Sequence, residues 1–238
     1  MNEAWEWIRQ PIAGSTCERR LIMELVLAAD PMCSWCYGFG KEMELLLARH
    51  PEASLRIILG GLRAGATDLL DDAGKQFRLH HWAKVEEASG LPFNREGLLA
   101  REGFIYDTEP VCRAVVAARI LKPDADILSV FRAFQHAFYV DALDTTDGEV
   151  LATVGSVALT SLGHSVSALE FLKTWRREST VEEAATDFAT ARALGVTSFP
   201  TLFVQKDGRL ARVGAGYAPV DALEHHLSAM GFQARPLN

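Results

Sequence analysis

No apolar run in this 238-residue chain approaches the roughly 18 residues that a bilayer-crossing helix needs, so no membrane span is expected. Positive charge is also short. The 24 Lys and Arg against 31 Asp and Glu leave a formal net charge of −7, and no basic cluster marks a surface for nucleic acid or an anionic membrane. Cysteine is sparse, with four residues in all, and a chain of this length can bury a core without disulfide staples. Cys17 and Cys112 supply neither a second Cys-x-x-Cys nor a Cys–His array, so a four-ligand zinc site is not assembled and no metal is expected. Internal repeats and low-complexity segments are absent as well.

What is present is an ordinary soluble composition, 49% hydrophobic and 23% charged, enough for one large domain or a domain carrying an insertion. The chain is organised around Leu21 to Leu47. An aliphatic run ends at Ala29, Asp30-Pro31 marks a tight turn, and Cys33-Ser34-Trp35-Cys36 opens a helix-period pattern. A strand, a turn and a dithiol at a helix start have a chemical meaning. The first turn of a helix presents unpaired N–H groups and the positive end of the macrodipole, both of which favour a thiolate, so Cys33 is the expected attacking sulfur. Cys36, one turn further in, is close enough to bridge to it and better shielded, which suits a resolving thiol. Half of a zinc site and an incidental pair are the competing readings.

Along the chain, a helix is expected from 33 to 49, ending before Pro51, with Gly38 and Gly40 weakening its early turns and allowing a bend. Leu55 to Leu59 reads as a second, parallel strand closed by Gly60-Gly61. From Leu62 to Ser179 the pattern turns helical without a convincing strand. The expected helices are 74–89, 109–121, 125–140, 148–162 and 167–177, with Asp124, Asp147 and Ser165 near caps. A helix from Val181 to Leu194, a strand after Pro200, a turn at Lys206-Asp207-Gly208, a strand from Arg209 to Val213 and a closing helix from Pro219 to Met230 follow. The expected fold is therefore α/β. Residues 1–20 are an extension, 21–61 and 180–238 make one sheet-containing domain, and 62–179 form a helical insertion subdomain. Cytoplasm is the default location. Arg19-Arg20 before Leu21 to Ala29 imitates a secretory leader, but cleavage near Ala29 would remove the first strand; Met23 offers an alternative start.

The element order, the segment Asp30-Pro31-Met32-Cys33-Ser34-Trp35-Cys36-Tyr37 and the segment Gly195-Val196-Thr197-Ser198-Phe199-Pro200-Thr201-Leu202-Phe203-Val204 together resemble the DsbA family, a thioredoxin fold with a helical insertion. The first segment is similar to the cysteine motif of its FrnE-like, predicted disulfide-isomerase branch. The resemblance implies a thiol–disulfide oxidoreductase, either a reductase or an isomerase, acting on protein or small-molecule disulfides and recharged by a thiol electron donor. It implies no tightly bound cofactor beyond a redox-active Cys33–Cys36 disulfide, with glutathione as a candidate co-substrate. Carried over residue by residue, Cys33 is the nucleophile, Cys36 the resolving thiol and Pro200 the cis-proline beside them; a strand-starting proline is the plainer reading of Pro200. Ser34, Trp35, Tyr37, Phe199 and Pro200 are then expected to bind substrate, the Phe199 backbone aligning an extended segment. Thr108 and Cys112 are candidate site-lining residues, with an inert buried thiol as the alternative for Cys112.

Two departures matter. Six residues before Cys33, where thioredoxins keep a buried acid, stands Leu27, and Glu24 points to the opposite face of the strand, so the proton acceptor for Cys36 is unassigned. Ser34-Trp35 brings no cation between the cysteines, which implies a reducing couple, toward the thioredoxin end of the range of about −270 to −120 mV. The adjacent pairs His80-His81 and His225-His226 diverge on helices and do not suggest chelation, and His136 is expected in the core. Two other functions remain open. One is a glutathione-dependent isomerase or kappa-type transferase, which usually carries Ser at the position of Cys33; the other is a non-enzymatic peptide-binding or chaperone module.

Overall fold

The computed structural model describes residues 23–206 and 208–233. The expected extension at 1–20 with Cys17, and Asp207 of the expected hairpin turn, lie outside the described residues.

Four strands, β1 (Glu24–Ala29), β2 (Ser54–Leu59), β3 (Thr201–Lys206) and β4 (Arg209–Ala215), form one sheet in the order β2-β1-β3-β4. β1 runs parallel to β2, pairing Glu24 with Ser54 through Ala29 with Leu59, and antiparallel to β3. Alternation along β1 sends Leu25, Leu27 and Ala29 into the main core and Val26 and Ala28 to the other face, where they meet Ile58, Ala191 and Phe203. Both faces are covered, which is why the strand reads as a continuous apolar run rather than an alternating one. The parallel β1–β2 pair requires a crossover, supplied by α1 (Ser34–Arg49), which packs beside α9 (Val220–Ala229).

Between β2 and the return to the sheet lie α2 (Asp72–Ser89), α3 (Arg95–Leu99), α4 (Glu109–Leu121), α5 (Ile127–Tyr139), α6 (Gly148–Ser161) and α7 (Ala168–Trp175). Then α8 (Glu178–Ala193) leads into β3 and packs on β2 and α4. α4 is the hub of the helical block. Val111, Cys112 and Ala114 to Ala118 are all buried, as expected of a helix that is apolar around its circumference, and its alanines let neighbours approach closely.

Several sequence expectations need correction. The short α3 was missed, because five residues carry too little periodicity to register. α5 is capped by Asp126, whose carboxylate accepts from the Leu128 and Ser129 amides, and α7 by Ser167; Asp124 and Ser165 each lie two residues too early to reach those amides. Gly38 and Gly40 lie in continuous helix, and Gly38 serves packing: a Cβ there would come within 2.7 Å of Val85 on α2. His136 is exposed rather than in the core, its ring 2.9 Å from the Asp141 carboxylate.

Candidate active site

The dithiol is placed by the turn that ends β1. The Asp30 carbonyl accepts the Cys33 N–H at 3.1 Å, and the Asp30 side chain accepts the Met32 N–H at 2.8 Å, so the chain reverses and starts α1 within three residues. Cys33 is the N-cap of α1, with extended backbone (φ −86°, ψ 115°) and no side-chain capping bond, and it is buried, with 7% of its surface exposed. Its sulfur lies 3.7 Å from the Phe199 carbonyl oxygen, across the turn that precedes β3. The Phe199–Pro200 peptide bond is cis. Phe199 can lie there because Gly60, at the end of β2, has no side chain: a Cβ would come within 2.2 Å of the Phe199 ring.

Cys33 is on the wall of an open cavity of about 450 Å³, and Ser34, Trp35 and Phe199 line it as well. Its remaining walls come largely from α2 and the segment after β2, including Leu62, Arg63, Phe77 and Arg78. Cys36 is not on this wall. It is 3% exposed, and its burial, followed by the adjacent Cys33 sulfur, pushes its thiol well above an ordinary cysteine. Both thiols are unbridged.

Behind the pair is a carboxyl group absent from the sequence-based assignment. Asp30 is fully buried, and the loss of water raises its pKa above the aspartate range despite four hydrogen-bond donors. Met32 N–H binds one oxygen, and Leu62 N–H binds the other at 2.7 Å; the Cys112 thiol lies 3.6 Å from that second oxygen, and the Thr108 hydroxyl also bonds the carboxyl. Thr108 in turn accepts the Arg63 N–H at 3.1 Å. Thr108 and Cys112, expected to line the cavity, therefore lie behind the dithiol against Asp30, and burial together with the Asp30 charge raises the Cys112 thiol well above an ordinary cysteine. Tyr106 completes the enclosure. Its hydroxyl donates to the Met32 carbonyl at 2.6 Å, and burial pushes the phenol upward.

Two other expected contacts are relocated. Tyr37 turns into the aromatic core, stacked on Tyr139 at 4.8 Å and edge-on to Phe93 at 5.1 Å, because a large ring gains more from full burial than from a half-wet wall. Pro200 is buried and does not line the cavity; its carbonyl accepts the Gly216 N–H at 2.7 Å. Asp30 had a signal in the sequence, being the single acid between an apolar strand and the dithiol. Tyr106 and Arg78 had none, since only the fold brings the helical block to the cysteines. Among the described residues no group of three or more Cys, His, Asp or Glu side chains is placed to hold a metal ion, and no helix is long and apolar enough to cross a membrane.

A mixed four-stranded sheet, a dithiol capping the first helix and a helical block inserted between β2 and β3 define a thioredoxin-fold protein with a helical insertion. No family model and no curated protein matches the sequence. Solved structures do match. A candidate protein disulfide isomerase from Nitrosomonas europaea is 30% identical, with a TM-score of 0.76, over 87% of this chain and 96% of that one. The cytosolic disulfide reductase DsbM from Pseudomonas aeruginosa is 24% identical with a TM-score of 0.69, over 87% of this chain and 98% of that one. The form of DsbM solved with glutathione is similar at 23% identity and a TM-score of 0.68, over 88% of this chain and all of that one. The chain belongs to the DsbA family of thioredoxin-fold oxidoreductases.

Proposed function

We propose that this protein is a disulfide reductase in which Cys33 attacks and Cys36 resolves. The observation that carries the reading is the asymmetry of the pair: Cys33 opens to the cavity at a helix N-terminus, beside the Phe199 backbone, while Cys36 is sealed behind it. In the reduced protein the Cys33 thiolate attacks one sulfur of a substrate disulfide. The substrate S–S bond breaks, a thiolate leaves and takes up a proton, and a mixed disulfide forms on Cys33. Cys36 then loses its proton and attacks the Cys33 sulfur, releasing the second substrate thiol and leaving a Cys33–Cys36 disulfide; two electrons have passed to the substrate. A thiol donor reverses these steps.

Cys36 is the difficult member, because its raised thiol must ionise in a buried site. Asp30 is the acid–base group at hand, its carboxyl enclosed beside the pair and its backbone bonded toward Cys36. Phe199 offers the backbone edge for an extended substrate, and Trp35 and Ser34 the wall beside it. In this reading 21–61 and 180–238 are the redox domain, and 62–179 an insertion that builds the far side of the cavity. The likeness to DsbM supports reduction, the cytoplasm as the setting and glutathione as a co-substrate, while the likeness to the Nitrosomonas europaea protein keeps isomerisation as the second reading.

Reduction of insulin and of bis(2-hydroxyethyl) disulfide, coupled in turn to glutathione with its reductase and to thioredoxin reductase, tests the proposal. Turnover with at least one donor, abolished by Cys33→Ser, is expected. Equal activity in Cys33→Ser overturns it.

A further inference from the structure

The protein carries 31 acids against 24 bases, yet the cavity at Cys33 contradicts that balance: its ionisable lining side chains, apart from Cys33 and Tyr106, are Arg63, Arg78 and His81, and no carboxylate is among them. The three are not equivalent. Arg63 is held by Asp68 through two contacts of 2.8 Å and donates to the Tyr106 carbonyl, so its charge is largely answered. Burial, with Lys84 and His80 nearby, lowers the His81 pKa and favours the neutral ring at pH 7. Arg78 has no carboxylate within ion-pair distance among the described residues. Its guanidinium is fixed 4.0 Å over the Tyr106 ring and donates to the Gly74 carbonyl at 3.0 Å, which leaves further N–H groups of its planar fork for a ligand. Around it the walls are apolar, with Phe77, Trp82 and Leu62.

A charged guanidinium held without a counter-ion among the described residues, on the same cavity wall as a nucleophilic sulfur and in an apolar cavity sized for a small molecule, is a recognition site for an anion that also carries the reacting disulfide. We propose that Arg78 selects small carboxylate-bearing disulfides and their mixed disulfides, binding the carboxylate while the disulfide sulfur lies in line with Cys33. The inference rests on Cys33 as nucleophile and names the substrate class of that same site. The bonds made and broken are those of ordinary exchange: Cys33–S forms as the substrate S–S breaks, and the departing thiolate is protonated.

The test is single-turnover reaction of the reduced protein with three disulfides of similar skeleton: 3,3′-dithiodipropionate with two carboxylates, neutral bis(2-hydroxyethyl) disulfide, and cystamine with two ammonium groups. Each rate is divided by that of dithiothreitol with the same disulfide, and Arg78→Met, Arg78→Lys and the remote Arg176→Met are compared. The normalised rate is expected to be about tenfold higher for the dianion than for the neutral disulfide, lowest for the dication, and less discriminating at high salt. Arg78→Met should bring the dianion-to-neutral ratio close to one, while Arg78→Lys keeps part of it and Arg176→Met all of it. A flat series in the wild type, or a ratio that survives Arg78→Met, overturns the inference. Absence of reaction with all three disulfides would instead overturn the assignment of Cys33.

Discussion

Asp30 answers two backbone amides, Met32 and Leu62, and two side chains, Thr108 and Cys112, from one fully buried carboxyl. Because burial raises its folded pKa, the native state holds a proton that the unfolded chain has already released. Stability therefore declines as pH rises from the ordinary aspartate range toward the raised native value, and levels off above it. Asp187 and Glu109 are raised by burial too and add to that slope, so the Asp30 contribution is read as a difference. Urea unfolding across pH 4 to 8 should give a shallower decline for Asp30→Asn than for the wild type; parallel curves would remove Asp30 from the proton balance. The same residue shows where the sequence fell short. Cys33, Cys36 and the Phe199–Pro200 pair were legible because short motifs carry them. Asp30 stood in the motif, but its side-chain partners Thr108 and Cys112 are 78 and 82 positions away, and only the assembled fold supplies the burial that raises its pKa.

Gly60 shows how one element positions another. It closes β2, and its lack of a side chain admits the Phe199 ring from the turn before β3. Gly60→Ala forces that ring, which lines the cavity, out of its place, and overpacking of this kind costs about 1–3 kcal/mol. Chemical denaturation should show that loss, and disulfide reduction should fall by a larger factor than a comparably destabilising change remote from the cavity. Equal losses would make Gly60 purely structural. At this scale the long elements were readable, since α4 was expected at its observed bounds and the sheet strands fell within a few residues. Their assembly was not. Periodicity reports which face of a helix is apolar and not which neighbour covers it, so the placement of Thr108, Cys112 and Tyr37 away from the cavity wall followed only from the packed helical block.

Across the whole molecule the helical block is tied to the sheet by Arg119 on α4. It bonds Glu183 at 2.7 Å and Asp187 at 3.1 Å on α8 and donates to the Ile57 carbonyl on β2, while Asp187 also accepts the Leu59 N–H. Removing the guanidinium leaves Asp187 buried without its cation. Arg119→Met is expected to destabilise the fold by about 2 kcal/mol, less than a fully buried pair because Arg119 keeps partial solvent contact. A thermal or urea midpoint unchanged from wild type would show that apolar packing alone holds the two parts together. The proposed disulfide exchange at Cys33 depends on that union, since α2 and the β2–α2 segment form the far side of the cavity whose other side carries Cys33. Its most direct test is to trap the intermediate. Reduced Cys36→Ser protein is mixed with oxidised glutathione, quenched with acid and mapped by mass spectrometry. A stable glutathione adduct on Cys33 alone, short-lived in the wild type, is expected; an adduct on Cys112 instead, or an equally persistent one in the wild type, would contradict the assignment of Cys33 as nucleophile and Cys36 as resolving thiol.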